Sequence, residues 1–225
     1  WLSSKSYILS FNRFILRQVK LNKNSRILDI GCGRGKIISN LSNKLMLHSK
    51  PIGIDIEQHK DKSKKMIFKK TDGLSFMVKT KINFDLILIK QTIHLLKKNQ
   101  INKLLSICKN KLNINGKIII LSLDPQKNEI PTFPLMKKKL KQSLNKDESL
   151  FQLIKRHNSN LTIKKFIFKV RISKKDYLKM IKNRFMSTLL NFSNKQILNG
   201  IKEINFKYKN ELKFKDRLIC LVLNK

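Results

Sequence analysis

Residues 26–35 read RILDIGCGRG, and this decapeptide constrains the fold more than any other stretch of the chain. Aliphatic residues lead into Asp29. Gly31, Gly33 and Gly35 then recur at every second position, and an apolar-periodic segment with Ile37, Ile38, Leu41 and Leu45 follows. That order reads as a buried strand, a sharp turn and a helix, the opening unit of a nucleotide-type α/β site. Glycine lets the backbone turn with φ > 0 and leaves no Cβ between the main chain and a ligand. The amides that open the helix can then face an anionic group.

Two nucleotide fingerprints do not fit. A dinucleotide loop is G-x-G-x-x-G, and its third glycine position holds Lys36 here. A phosphate loop needs Ser or Thr after Gly-Lys, and Gly35-Lys36 is followed by Ile37. The segments downstream are more informative. Residues 51–56 (PIGIDI) form a short apolar strand ending at Asp55. This acid lies about twenty residues past the loop, where the architecture places a carboxylate on ribose hydroxyls. Residues 66–68 are a third strand, followed by Thr71-Asp72-Gly73, also a natural turn sequence. Residues 84–89 (FDLILI) are a fourth, followed by QTIHLL at 91–96, and 116–123 (GKIIILSL) a fifth behind an Asn-Gly turn. Residues 161–172 and 214–223 supply two more. Strands alternating with helices predict an α/β, Rossmann-like sheet of seven strands, mostly parallel, with helices on both faces.

The chain of 225 residues has the size of a single domain with a real core. We expect one domain over 1–225: a core of 20–124, 161–172 and 212–225, and substrate elements at 1–19, 125–160 and 173–211. Residues 7–19 form an amphipathic helix with Ile8, Phe11, Ile15 and Val19 on one face, expected to cross the cofactor site. Two helical stretches, 135–144 and around 149–155, follow the fifth strand. Ser173-Lys-Lys-Asp176 and Ser193-Asn-Lys-Gln196 both read as helix starts. The helical pair they open, near the C-terminal end, is too long for a passive connection and is read as a lid over an acceptor pocket.

Composition excludes some classes. The longest apolar runs are strand-length, so no membrane span is expected, and no signal-peptide pattern is present. Three scattered cysteines fit neither a metal site nor a disulfide framework, which suggests a reducing, cytoplasmic setting. The formal charge of +36 invites a nucleic-acid reading. However, the chain has no alanine and only eight arginines among its 50 basic residues, and its lysines are dispersed. That is the signature of A/T-rich codons rather than of a phosphate-reading face. Nucleic acid is therefore expected to bind through non-specific charge alone. The oligomeric state is left open.

The pattern hydrophobic–Asp–x–Gly–x–Gly–x–Gly resembles motif I of the class I S-adenosylmethionine (SAM) methyltransferases. The resemblance covers residues 26 to about 123. It implies SAM as cofactor and S-adenosylhomocysteine (SAH) as product. Gly31, Gly33 and Gly35 would meet the methionine part, with Asp29 organising the loop and the ligand's amino group. Asp55 would take the ribose, and Asp72 with Gly73 the adenine. Cys32, Ile56 and Lys90 complete the implied cofactor set. The second half resembles the small-molecule type 11 group, on the segment from Tyr177 to Leu189 before the last strand. Trp1, the segment from Tyr7 to Phe11 and the helical lid look like trans-aconitate methyltransferases.

The implied reaction is in-line displacement at a sulfonium methyl, in which the protein supplies alignment and desolvation. His94, just past the fourth strand, is the candidate base for an acceptor that must lose a proton. Arg184 and Tyr177, seven residues apart, would share a helix face and point from the lid toward a carboxylate-bearing acceptor. RNA (rRNA or tRNA) is the alternative acceptor. Against it, the position of the nucleobase-amino motif reads Lys90-Gln91-Thr92-Ile93, no cysteine sits beside proline, and Lys90 and Asp124 do not have the spacing of a 2′-O tetrad. A SAM-binding protein without turnover is a further alternative, with no feature in its favour because every cofactor position is intact.

Overall fold

The computed structural model describes residues 1–158 and 160–225. The strands are β1 (Ile27–Ile30), β2 (Ile52–Asp55), β3 (Ile67–Lys70), β4 (Phe84–Lys90), β5 (Leu112–Leu123), β6 (Leu161–Ser173) and β7 (Glu211–Asn224). The helices are α1 (Lys5–Gln18), α2 (Lys36–Leu45), α3 (Gly73–Lys79), α4 (Lys98–Asn110), α5 (Pro134–Arg156), α6 (Lys174–Lys182) and α7 (Asn194–Lys207). One seven-stranded mixed sheet runs in the order β3-β2-β1-β4-β5-β7-β6. The pairs β3–β2, β2–β1, β1–β4 and β4–β5 are parallel. The chain steps outward from β1 to β3, then returns to place β4 on the other side of β1. That reversal is the switch point where open α/β sheets bind ligands, outside the carboxyl ends of the strands.

The chain divides into two compact units. One comprises Leu2–Ser122, Leu150–Phe166 and Leu218–Lys225; the other comprises Trp1, Leu123–Ser149 and Ile167–Arg217. In the first unit, β1 and β4 are buried on both faces, and Leu28, Ile30, Ile87, Ile89, Ile118 and Ile120 form the centre of the core. Continuous aliphatic runs are what such strands require. Leu104, Leu105 and Cys108 of α4 pack into the same cluster, with Phe76 and Met77 of α3. Tyr7, Ile8, Phe11 and Ile15 bury one stripe of α1, whose first turn is capped by the Tyr7 N–H donating to Ser4 Oγ at 3.2 Å.

In the second unit the aromatic residues gather. Tyr177 is fully buried, its hydroxyl donates to the Pro131 carbonyl, and its ring stacks on Trp1 and lies edge-on to Phe185 and Phe214. The Trp1 indole N–H donates to Asp216 Oδ2 at 2.8 Å. Ser193 and Gln196 form the expected reciprocal cap at the start of α7, and Ser173 caps α6. Among the described residues no helix is long and apolar enough to cross a membrane.

Three expectations are corrected. The two helical stretches after β5 are one helix, α5: the polar sequence between them contains no breaker, and Asp147 sits on the same buried face as Leu144 and Phe151. The fifth strand starts at Leu112, ahead of the Asn-Gly pair. That pair forms an irregularity within the strand, with Asn115 at φ 64 and a register shift opposite Phe84 and Leu86. Finally, Arg184 does not share a helix face with Tyr177. The α6 helix stops at Lys182, and Arg184 takes φ 49 just beyond it. The Phe185 N–H donates to the Met180 carbonyl and the Arg184 N–H to the Ile181 carbonyl, a Schellman ending with Arg184 in the left-handed position.

From that position Arg184 Nη2 donates to the Phe192 carbonyl at 2.6 Å and to Asn194 Oδ1 at 3.1 Å, fastening the link between α6 and α7. Arg184→Lys keeps the charge but cannot reproduce the guanidinium geometry. It is expected to lower unfolding stability by about 1–2 kcal/mol, the scale of one hydrogen bond from a charged group. Urea unfolding checks this; an unchanged midpoint would show that the guanidinium does not hold the link.

Candidate active site

A cavity of about 540 Å³ opens at the carboxyl ends of β1, β2 and β4. Its wall contains Asp29, Gly31, Cys32, Gly33, Asp55, Ile56, Asp72, Gly73 and Lys90, nine of the ten expected cofactor residues. Gly35 lies outside the wall, at the N-cap of α2. His94 is not in the wall either; it is half-buried on a short 3-10 turn, and burial lowers its pKa, so its imidazole is neutral at physiological pH. Tyr177 and Arg184 belong to the other unit and make the contacts described above.

The loop after β1 is built on left-handed backbone: Gly31, Gly33 and Gly35 have φ of 76, 52 and 66. The three glycines are not equivalent. A Cβ at Gly31 would fall 2.0 Å from Thr92 Oγ1, and one at Gly35 would fall 2.1 Å from Met66 Sδ. Those two are required by protein packing. A Cβ at Gly33 would meet nothing within 4 Å, so Gly33 is the glycine that faces open space. The loop is pinned by the N–H groups of Gly31 and Cys32, which both donate to the Ile54 carbonyl at 2.9 and 3.0 Å.

Asp55 reinforces the pin. Its Oδ2 accepts from the Gly33 N–H at 2.8 Å, and its Oδ1 from the Glu57 N–H at 3.0 Å. The carboxylate therefore fixes the loop and still presents lone pairs to the cavity. Asp72 has a double position as well. It caps α3 by accepting from the Ser75 N–H at 2.9 Å, and it lines the cavity. Hydrogen bonding with Ser75 holds its carboxyl below the usual range.

Asp29 is the most constrained group. It is 4 % exposed, and among the described residues its Oδ1 has no hydrogen-bond donor. Burial pushes its pKa up to about 7, nearby Lys90 pulls it down, and Asp55 adds to the rise. A buried acceptor without a donor is a place for a ligand's donor, preferably a cationic one. Burial also raises the Cys32 thiol, so it sits in the wall protonated rather than as a nucleophile.

Sequence reading missed the far wall. Gln91 and Thr92, directly after β4, line the cavity, and Gln91 takes φ 53. Thr92 Oγ1 donates to the Lys90 carbonyl at 3.0 Å and occupies the space left by the missing Cβ of Gly31. No local pattern signals either contact, because each depends on β1 and β4 lying side by side. Leu95, Leu96, Ile37 and Ile89 add apolar surface. The result is an apolar cleft with three aspartates and one lysine, suited to a ligand that combines positive charge with apolar surface.

Comparison with known proteins bears on the fold and the family. No curated protein matches the chain in sequence. Among solved structures, a protein described as a methyltransferase of an antibiotic biosynthesis pathway in Anabaena variabilis superposes with a TM-score of 0.65 at 14% identity, covering 94% of this chain and 96% of that one. A SAM-dependent methyltransferase from Archaeoglobus fulgidus gives 0.56 at 20% identity, over 99% and 95% of the two chains. The plantazolicin methyltransferase BpumL, solved with SAH and a monoazolic desmethyl analogue of plantazolicin, gives 0.52 at 17% identity, over 97% and 82%. None of the three is described as acting on trans-aconitate. The family model described as a methyltransferase domain matches residues 21–184. This chain therefore belongs to the methyltransferase domain family, as a class I SAM-dependent methyltransferase.

Proposed function

We propose that the protein transfers the methyl group of SAM to a small-molecule acceptor, with the cofactor held in the cavity at the ends of β1, β2 and β4. The observation that carries this reading is Asp29 Oδ1, a buried acceptor without a donor among the described residues, in the wall of a cleft of about 540 Å³. In this reading the cofactor's ammonium is held by Asp29 and its methionine chain passes Gly33. Asp55 accepts from the ribose, and Asp72 and Gly73 meet the adenine, with Ile56 against the ring. The cofactor supplies an electrophile that is already activated. The protein's part is to exclude water, fix the loop through Asp55 and hold charge at Asp29.

A small acceptor is favoured by the sequence: the lysines that make up most of the +36 are dispersed rather than gathered in one run, and the position of the nucleobase-amino motif reads Lys90-Gln91-Thr92-Ile93. The BpumL complexes contain a small natural-product analogue in a protein of similar fold, which is compatible with this reading. The carboxylate expectation rested on Arg184, whose guanidinium is instead engaged by the Phe192 carbonyl and Asn194. The direct experiment is to incubate the protein with methyl-labelled SAM and either a metabolite extract or total RNA at physiological salt. Label is expected in a small molecule and absent from RNA. Labelling of RNA, abolished by Gly33→Val, would overturn the small-molecule assignment.

Gly33→Ala tests the placement of the cofactor. The new methyl group clashes with nothing in the protein, so the cost to stability is limited to that of left-handed backbone, about 1–2 kcal/mol. Loss of both SAM and SAH binding is expected by calorimetry, in a protein that still melts cooperatively. Normal affinity would place the cofactor elsewhere.

A proton should leave when SAM binds. The Asp29 pKa of about 7 means that at pH 6 the carboxyl is mostly protonated, and a cationic ligand favours the ionised form. Binding at pH 6 therefore releases a proton, and at pH 8.5 Asp29 releases none. Affinity rises with pH up to about 7 and then flattens on account of this group. Calorimetry at pH 6 in buffers of different ionisation enthalpy counts the proton. Zero release would show that the ligand does not ionise Asp29.

A further inference from the structure

The cavity beside Asp29 already contains a cation. Lys90 ends β4 in the cavity wall, and its ammonium lies 5.6 Å from the ring centroid of Tyr7 and 5.7 Å from that of Phe11. It also donates to Gln91 Oε1 at 3.4 Å. Tyr7 and Phe11 are fully buried on α1 and stack on each other at 6.1 Å, so the platform beneath the ammonium is rigid. Aromatic faces attract a cation and help it keep its charge where water is scarce. The field of Lys90 reaches Asp29, where it opposes the effect of burial.

The two forms of the cofactor differ in charge at one atom. SAM carries a sulfonium as well as an ammonium and a carboxylate; SAH has a neutral thioether in place of the sulfonium. We propose that Lys90 is a charge-discriminating residue of this site, its fixed ammonium disfavouring the sulfonium form of the cofactor relative to the thioether form. The inference rests on the placement of SAM in this cavity given above. Methyl transfer breaks the S–CH₃ bond, leaves the bonding pair on sulfur and forms a bond from the carbon to the acceptor nucleophile. One positive charge disappears from sulfur. Repulsion from Lys90 is therefore present before transfer and absent after it. In a cleft of low dielectric it is weakly screened. An unfavourable interaction that fades on the way to the transition state lowers the barrier rather than the affinity for product.

The test is a ratio of dissociation constants. SAM and SAH are titrated calorimetrically into the wild-type protein, Lys90→Met and Lys90→Arg. Methionine keeps an unbranched apolar stem, one atom shorter, and removes the charge together with the ammonium's contact with Tyr7 and Phe11. The ratio Kd(SAM)/Kd(SAH) is expected to fall at least about fivefold in Lys90→Met, the repulsion of two unit charges about 17 Å apart at an effective dielectric of about 20, and further if they lie closer. Lys90→Arg should leave it within about twofold of wild type, since the charge is kept. Lys90→Gln, read in the same way, serves if the methionine variant does not fold. Equal weakening of both ligands, as from a lysine that holds the carboxylate they share, overturns the proposal, and so does an unchanged ratio. Failure of the wild-type protein to bind either ligand overturns the placement of the cofactor instead.

Discussion

Burying an ionisable carboxyl inside a parallel sheet costs free energy, and Asp29 imposes that cost at the centre of the molecule. It lies on β1, whose four residues are all buried, between β2 and β4. The surrounding aliphatic strands provide the stability that tolerates it and the low dielectric that raises its pKa. The local geometry follows from keeping that group oriented toward the cleft. The loop after β1 turns sharply in left-handed backbone, Ile54 and Asp55 tie the turn to β2, and Thr92 fills the space against β4. A perturbed carboxyl at a sheet switch point is the physical mark of a site rather than of a scaffold.

The glycine loop divides its labour in a way that its even spacing conceals. Gly31 admits Thr92 and Gly35 admits Met66, so both serve the packing of the loop on its supports. A Cβ at Gly53 on β2 would also crowd Met66 Sδ, at 2.7 Å, and Cys32 Sγ, at 2.8 Å. Met66 is thus a buttress beneath two glycines that are distant in sequence. Only Gly33 looks onto open space among the three, and its N–H is the one that Asp55 holds. The same carboxylate that lines the cavity also sets the conformation of the backbone beside it.

Legibility in the sequence followed the range of the interaction. The strand–turn–helix unit at 26–45 and the strand at 84–89 were readable because aliphatic runs and glycine spacing are local signals; among the wall residues Asp55 followed from its position at a strand end, whereas Asp29 and Asp72 were named through the family resemblance. The reading failed where distant contacts decide. The polar residues 145–148 look like a break, yet α5 runs through them: they contain no helix breaker, and Leu144 and Phe151 on either side are both buried. Arg184 looked like part of a helical face, yet the helix ends two residues earlier in a Schellman turn, a position usually taken by glycine or asparagine. Gln91 and Thr92 gave no signal, because what makes them part of the site is the adjacency of β1 and β4.

Charge acts on two length scales in this protein. Over the whole chain, +36 generates a field that concentrates anions near the surface. Salt screens that field over about 8 Å at physiological ionic strength, so it governs encounter rather than residence. Within the cavity the balance reverses, with Asp29, Asp55 and Asp72 against Lys90. In the proposed placement, a cationic cofactor would be held by groups that it meets only after entering, against a global field of the wrong sign. Burial of Asp29 therefore bears on the cleft as well as on stability: in a solvated position its charge would be screened like that of the surface lysines, whereas in the sheet its ionised form is harder to reach but much less screened.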